Sequence, residues 1–153
     1  MKIISNILPI IILLVGGTSL ACDCDITDPF LTKGISSDVI IRGRITAHIA
    51  KDDRPCAMKV SVLETLKGNV SGTEIVIWGD NGWQCRPPVT QFPTNTEWIL
   101  GITTNGWRNE SGYFISVCGA YWLKCEDGVI SGRIDSDTES SLSLPDFKKQ
   151  LKQ

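Results

Sequence analysis

Cys22 and Cys24 stand one residue apart in TSLACDCDI, residues 18–26. Thiols at such spacing can bind a metal, attack an electrophile or cross-link the chain. Four more cysteines follow, Cys56, Cys85, Cys118 and Cys125, and the spacing contains no repeated C-x-x-C of the kind that structural zinc uses. The single histidine, His48, leaves a cysteine nucleophile without the usual choice of base, so a nucleophilic hydrolase is not expected and the chain is read as a non-enzyme. Cross-linking is the remaining chemistry. In an extended segment Cys22 and Cys24 point the same way and Asp23 the other. Neighbours at this spacing rarely meet disulfide geometry with each other. Each is therefore expected to reach a distant cysteine and to sew the segment onto the body of the domain, with fifteen connectivities open to six cysteines.

What precedes the pair sets its compartment. Residues 1–21 carry one basic side chain, Lys2, an apolar run from Ile7 to Val15, and small residues ending Ser19-Leu20-Ala21. This is the three-part pattern of a signal peptide, and the run is shorter than the ~20 apolar residues that span a bilayer. A secreted protein starting at Cys22 is expected. The alternative is a lipid-anchored form acylated on Cys22, although Ser19 stands where that recognition usually wants leucine. An even number of cysteines in an exported chain reads as three disulfides.

Removal of the leader leaves 132 residues, 22–153, with 14 basic against 17 acidic side chains. A net charge near −3 argues against nucleic acid or an anionic membrane surface as partner, since both demand clustered positive charge. The length suits one compact domain, expected to be a monomer without a membrane span.

The elements that must position the cysteines are mostly of period two. SDVIIRGRITAHIA (37–50) places Ile41, Gly43, Ile45 and Ala47 on one face and Arg42, Arg44 and Thr46 on the other, so it predicts a long strand. Strands are also expected over 57–66, 73–79, 97–104 and 112–118, separated by Gly-, Pro- and Asn-rich breaks. Five strands at this spacing predict a small barrel or sandwich. Asp28-Pro29 predicts a short helix over 28–33, and Pro145 begins another whose stripe is Leu144, Phe147 and Leu151. The chain thus divides into a leader (1–21), a disulfide-stapled β domain (22–125) and a tail (126–153) of hairpin, polar linker and amphipathic helix packed on the barrel.

Other conspicuous residues carry less. His48 on its strand reads as a packed or exposed side chain, and most of Trp78, Trp83, Trp98, Trp107 and Trp122 as packing, with Trp83 the candidate for contact. Asn69 and Asn109 begin N-x-S sequons, which matter where secreted proteins are glycosylated.

The phrases CDCD at 22–25, SDVIIRGRI at 37–45, VSVLETLKGN at 60–69, NGWQCRPP at 81–88, EWILGI at 97–102 and FISVC at 114–118 resemble, in order, the N-terminal domain of the tissue inhibitors of metalloproteinases. That domain belongs to the netrin-like group and is a five-stranded OB-type barrel. The resemblance implies that the α-amine and carbonyl oxygen of Cys22 clamp the catalytic zinc of a secreted or cell-surface zinc metalloproteinase. The chain would have no cofactor of its own. A zinc protease keeps one coordination position open for water, and an amine with its adjacent carbonyl forms a five-membered chelate there.

The resemblance also implies the pairs Cys22–Cys85 and Cys24–Cys118, leaving Cys56 to pair with Cys125. It makes Cys22, Asp23, Cys24, Asp25, Trp83, Gln84 and Cys85 one inhibitory ridge. Two features depart from the family. Asp23 stands where a small or hydroxylated residue enters the protease's specificity pocket, and the family's cysteine in the first helix has no counterpart near Lys33 and Gly34. A secreted netrin-like binding module without inhibitory activity is the alternative that Asp23 favours.

Overall fold

The structure, a computed structural model, describes residues 22, 24, 27–82, 84–104 and 112–152. The expected leader (1–21), Asp23, Asp25, Trp83, Trp107 and Asn109 lie outside the described residues. The fold is mainly β. A long ribbon is made by β1 (Val39–Lys51) and β2 (Arg54–Lys67), antiparallel neighbours. Their connection is Asp52-Asp53, both at positive φ (51° and 59°), the backbone of a type I′ hairpin turn that matches the twist of the strands. Four register shifts interrupt the β1–β2 ladder and bend it, as bulges do. Gly43 makes one close approach possible, since a Cβ there would run into Cγ1 of Val60.

The remaining strands are β3 (Glu74–Trp78), β4 (Glu97–Ile102), β5 (Tyr113–Phe114), β6 (Trp122–Glu126), β7 (Val129–Gly132) and β8 (Ser140–Ser143). They form one open sheet in the order β5-β3-β2-β1-β4-β6-β7-β8, in which only the β3–β5 pair is parallel. The expected five-stranded closed barrel is corrected by this order. Residues 122–143 supply three further strands that extend the sheet beyond β4, and one of them lies in the stretch expected to be a polar linker. A single antiparallel bridge, Thr103 to Phe114, brings the end of β4 back to β5.

Alternation along β1 feeds two cores. Ile41 and Ile45 join Met58, Val60, Ile77, Phe92 and Leu100 on one side. Ile40 faces the other way and packs with Ile99, Leu123, Ile130, Phe30 and Phe147. The second core exists because α1 (Leu144–Gln150) lies over the sheet and buries Phe147 completely against Phe30, ring centroids 5.7 Å apart. Removing a phenylalanine side chain from water contributes about 2–3 kcal/mol. Ser143 caps α1 by accepting a hydrogen bond from the Asp146 amide, and Pro145 sits in the first turn, as the Ser-Leu-Pro-Asp sequence dictates. Lys148 also forms an ion pair with Glu64 of β2.

The helix expected over 28–33 is a turn, followed by a 3-10 turn at Gly34–Ser36. Backbone amides of Phe30 and Leu31 donate to the carbonyls of Arg133 and Ile134, and those of Thr32 and Lys33 to the Pro29 carbonyl. The pairing expected between Cys56 and Cys125 is also corrected, since both are buried free thiols. Cys56 lies on β2 and Cys125 on β6, with β1 and β4 between them. Three strand spacings amount to about 14 Å along the sheet, while a disulfide needs Cα atoms within roughly 7 Å.

Candidate functional site

Two disulfides hold the start of the described chain. Cys22 is joined to Cys85 and Cys24 to Cys118, with Cα–Cα separations of 5.6 and 5.4 Å, both inside the ordinary range. They span 63 and 94 residues. In the chain-entropy picture each contributes roughly 4–5 kcal/mol as an upper figure, and the overlapping loops do not add in full. Neither bridge crosses either apolar core. Both fasten the first three residues of the expected mature chain.

The receiving loops are tied to each other. The Val117 amide donates to the Cys85 carbonyl at 3.1 Å, and the Cys118 amide donates to Oγ of Ser116 at 3.0 Å. These bonds end β5 after two residues, although the sequence predicts a strand over 112–118. The chain is diverted here toward Cys24. On the other side, the Asp80 amide donates to the Pro87 carbonyl and the Arg86 amide to the Gln84 carbonyl, closing the loop that presents Cys85. Arg54, beside the β1–β2 turn, pairs with Asp80 at 3.3 Å, and Asp80 accepts from the Gly82 amide. Downstream of the tether, the Ala120 amide donates to the Asp28 carbonyl at 2.8 Å, and Lys33 pairs with the Asp28 carboxylate at 3.3 Å.

Three segments therefore converge: the N-terminal residues 22 and 24, the loop 84–86 and the loop 116–118. Cys22 and Cys85 are exposed, while Cys24, Gln84 and Cys118 are half-buried. Of the ridge expected from the sequence, the structure brings together Cys22, Cys24, Gln84 and Cys85 and adds Cys118. Asp23, Asp25 and Trp83 of that ridge fall outside the described residues.

A cleft of about 270 Å³ opens beside Cys85, lined by Gln84, Arg86, Thr103, Phe114 and Ser116. The Arg86 guanidinium lies 4.1 Å from the centre of the Phe114 ring, a cation–π contact. Oε1 of Gln84 is buried without a hydrogen-bond partner among the described residues. Sequence reasoning did not single out Arg86, Thr103, Phe114 or Ser116 as site residues. The signal available was Arg86-Pro87-Pro88 directly after Cys85, a rigid stretch that fixes the direction in which Arg86 leaves the bridge.

Asp38 lies at the mouth of a neighbouring cleft with Thr103 and Ser116. A hydrogen bond from the Thr103 hydroxyl, helped by the Thr104 amide, holds its carboxyl below the ordinary range. Among the described residues no group of three His, Cys, Asp or Glu side chains could hold a metal ion, and no helix is long and apolar enough to cross a membrane.

No protein-family model matches this chain, and no curated protein matches it.

Proposed function

We propose that this chain is a secreted inhibitor of zinc metalloproteinases that acts through its processed start. Once residues 1–21 are removed, the α-amine and carbonyl oxygen of Cys22 chelate the catalytic zinc of the target and displace its hydrolytic water. The observation that carries the reading is the double tether: an exposed Cys22 is bound to Cys85, and Cys24 two residues on is bound to Cys118. Chain termini ordinarily fray. One fixed at both ends of a three-residue segment presents its main chain with most of the ordering entropy already lost, which favours tight binding.

One further point supports the reading. The loop carrying Gln84 and Cys85 lies beside the tethered segment and supplies a second contact edge. The target is a secreted or cell-surface zinc protease.

Asp23 favours a second reading. It directly follows Cys22, and burying an unpaired carboxylate in a protease pocket costs several kcal/mol. A netrin-like module that binds a partner without blocking a protease accommodates that residue.

The two readings are separated by titrating the secreted protein against a panel of zinc proteases, beside a form with one extra residue ahead of Cys22. Inhibition by the first form alone supports the chelating inhibitor. Inhibition by neither form leaves the binding module.

A further inference from the structure

A cleft of about 330 Å³ lies away from the tethered segment and shares no residue with it. It opens where β4, β6 and β7 run side by side. Trp98 pairs with Lys124 across β4 and β6, and Lys124 pairs with Ser131 across β6 and β7. Directly opposite residues share a face, and Trp122, two residues before Lys124, shares it as well. Leu123, Cys125 and Ile130 point the other way into the second core. The cleft floor is therefore backed by packed side chains.

Its walls are aromatic and fixed. One buried ring, Phe92, meets Trp98 edge-on at 5.1 Å and Trp122 edge-on at 5.6 Å, with interplanar angles of 81° and 84°. The Trp98 indole N–H donates to Thr96 Oγ1 at 2.7 Å, which sets the turn of that ring. Both indoles remain half-buried, so each keeps surface open to the cleft. The rim is polar and of both signs. Lys124 is paired with Glu126 at 2.7 Å, whereas Arg133 and Glu139 make no ion pair among the described residues.

We propose that this cleft binds a neutral saccharide of one or two rings. A sugar ring offers an apolar face of C–H groups to an indole and hydroxyls around its edge. Trp98 and Trp122 supply the platform, amphipathic and rigid. Arg133 donates to ring hydroxyls and Glu139 accepts from them. One unpaired charge of each sign leaves the rim balanced, which suits hydroxyls that donate and accept and disfavours an acidic ligand. The volume stands at the lower end of small-ligand sites, and the site is pre-formed by the packing beneath it.

The test uses the secreted full-length mature protein on an immobilised array of neutral and acidic glycans, followed by titration with cellobiose, maltose and diacetylchitobiose read through tryptophan fluorescence. Saturable binding of a neutral glycan is expected, weakened about tenfold by Arg133→Ala and by Glu139→Ala, each removing a charge-assisted hydrogen bond. Trp122→Ala should abolish it. Because that change also reaches Phe92, the two rim variants, with unchanged thermal unfolding, decide between binding at this cleft and binding elsewhere. No signal across the array, binding confined to acidic glycans, or neutral-glycan binding unaffected by both rim substitutions overturns the proposal. Protease inhibition is untouched by any of these outcomes.

Discussion

Two cysteine thiols in this protein are left outside the disulfides. Cys56 and Cys125 are 6 % and 4 % exposed and unpaired. Burial, with the Glu97 carboxylate second, pushes the Cys125 thiol above its ordinary value, so the reactive thiolate is scarce. A thiol-specific chromogenic reagent should therefore find no reactive thiol in the native protein and two after denaturation without reductant. Finding none after denaturation would mean a third disulfide. The chelation proposed above gives a second prediction: the α-amine of Cys22 would have to be neutral to bind zinc, and its reference pKa is about 7.7–8.0. Inhibition should weaken about tenfold for each pH unit below that value, measured with a protease whose own activity is flat over the range. Of these atoms, the cysteine types and the C-x-C spacing were legible in the sequence. The fate of Cys56 and Cys125 was not, because an even count says nothing about how many strands separate two thiols.

Among the elements, α1 is the one whose docking can be measured. Phe147→Ala should cost about 3–5 kcal/mol in urea denaturation, since it leaves a void beside Phe30 in the second core. The cap of the same helix carries a pH dependence. Hydrogen bonds from Lys149 first and Ser143 second hold the Asp146 carboxyl below its ordinary value. A carboxyl depressed in the folded state contributes stability that is present above its unfolded pKa, near 4, and is lost as pH falls through the folded value. Asp146→Asn should accordingly lower stability at neutral pH and make little difference at the acid end, as read from unfolding midpoints at several pH values. This helix was legible from Pro145 and the stripe Leu144, Phe147, Leu151. So was β1, with Ile41, Gly43, Ile45 and Ala47 on one face and Arg42, Arg44 and Thr46 on the other. By contrast β8, Ser140–Ser143, reads as linker because its four residues have only one apolar side chain, Leu142, and the strand is specified by pairing with β7. At 28–33 the helical start signalled by Asp28-Pro29 is present as one turn, with the Thr32 and Lys33 amides on the Pro29 carbonyl, but it passes into the 3-10 turn at Gly34–Ser36 instead of extending, and its pairing with carbonyls 133 and 134 is invisible to local sequence.

The whole molecule separates its stabilising parts. Both cores are built by side-chain packing, and the four cysteines of the two disulfides belong to neither core. Reduction should therefore lower the unfolding midpoint while the β-sheet circular dichroism persists at room temperature, and inhibition should disappear. Loss of the sheet signal on reduction would show that the tethers hold the body as well as the terminus. Mainly β character was readable from the strand periodicity, but closure was not: whether residues 122–143 end a barrel or extend a sheet depends on which edge of β4 is left unpaired. In the proposed function the freed backbone nitrogen of Cys22 performs the inhibition. Cyanate near neutral pH carbamylates that amine in preference to lysines, whose pKa lies about two units or more higher. Titrated against the protease that the untreated protein inhibits best, the carbamylated protein should bind at least about a hundredfold more weakly with unchanged circular dichroism, whereas equal inhibition before and after modification would contradict the account.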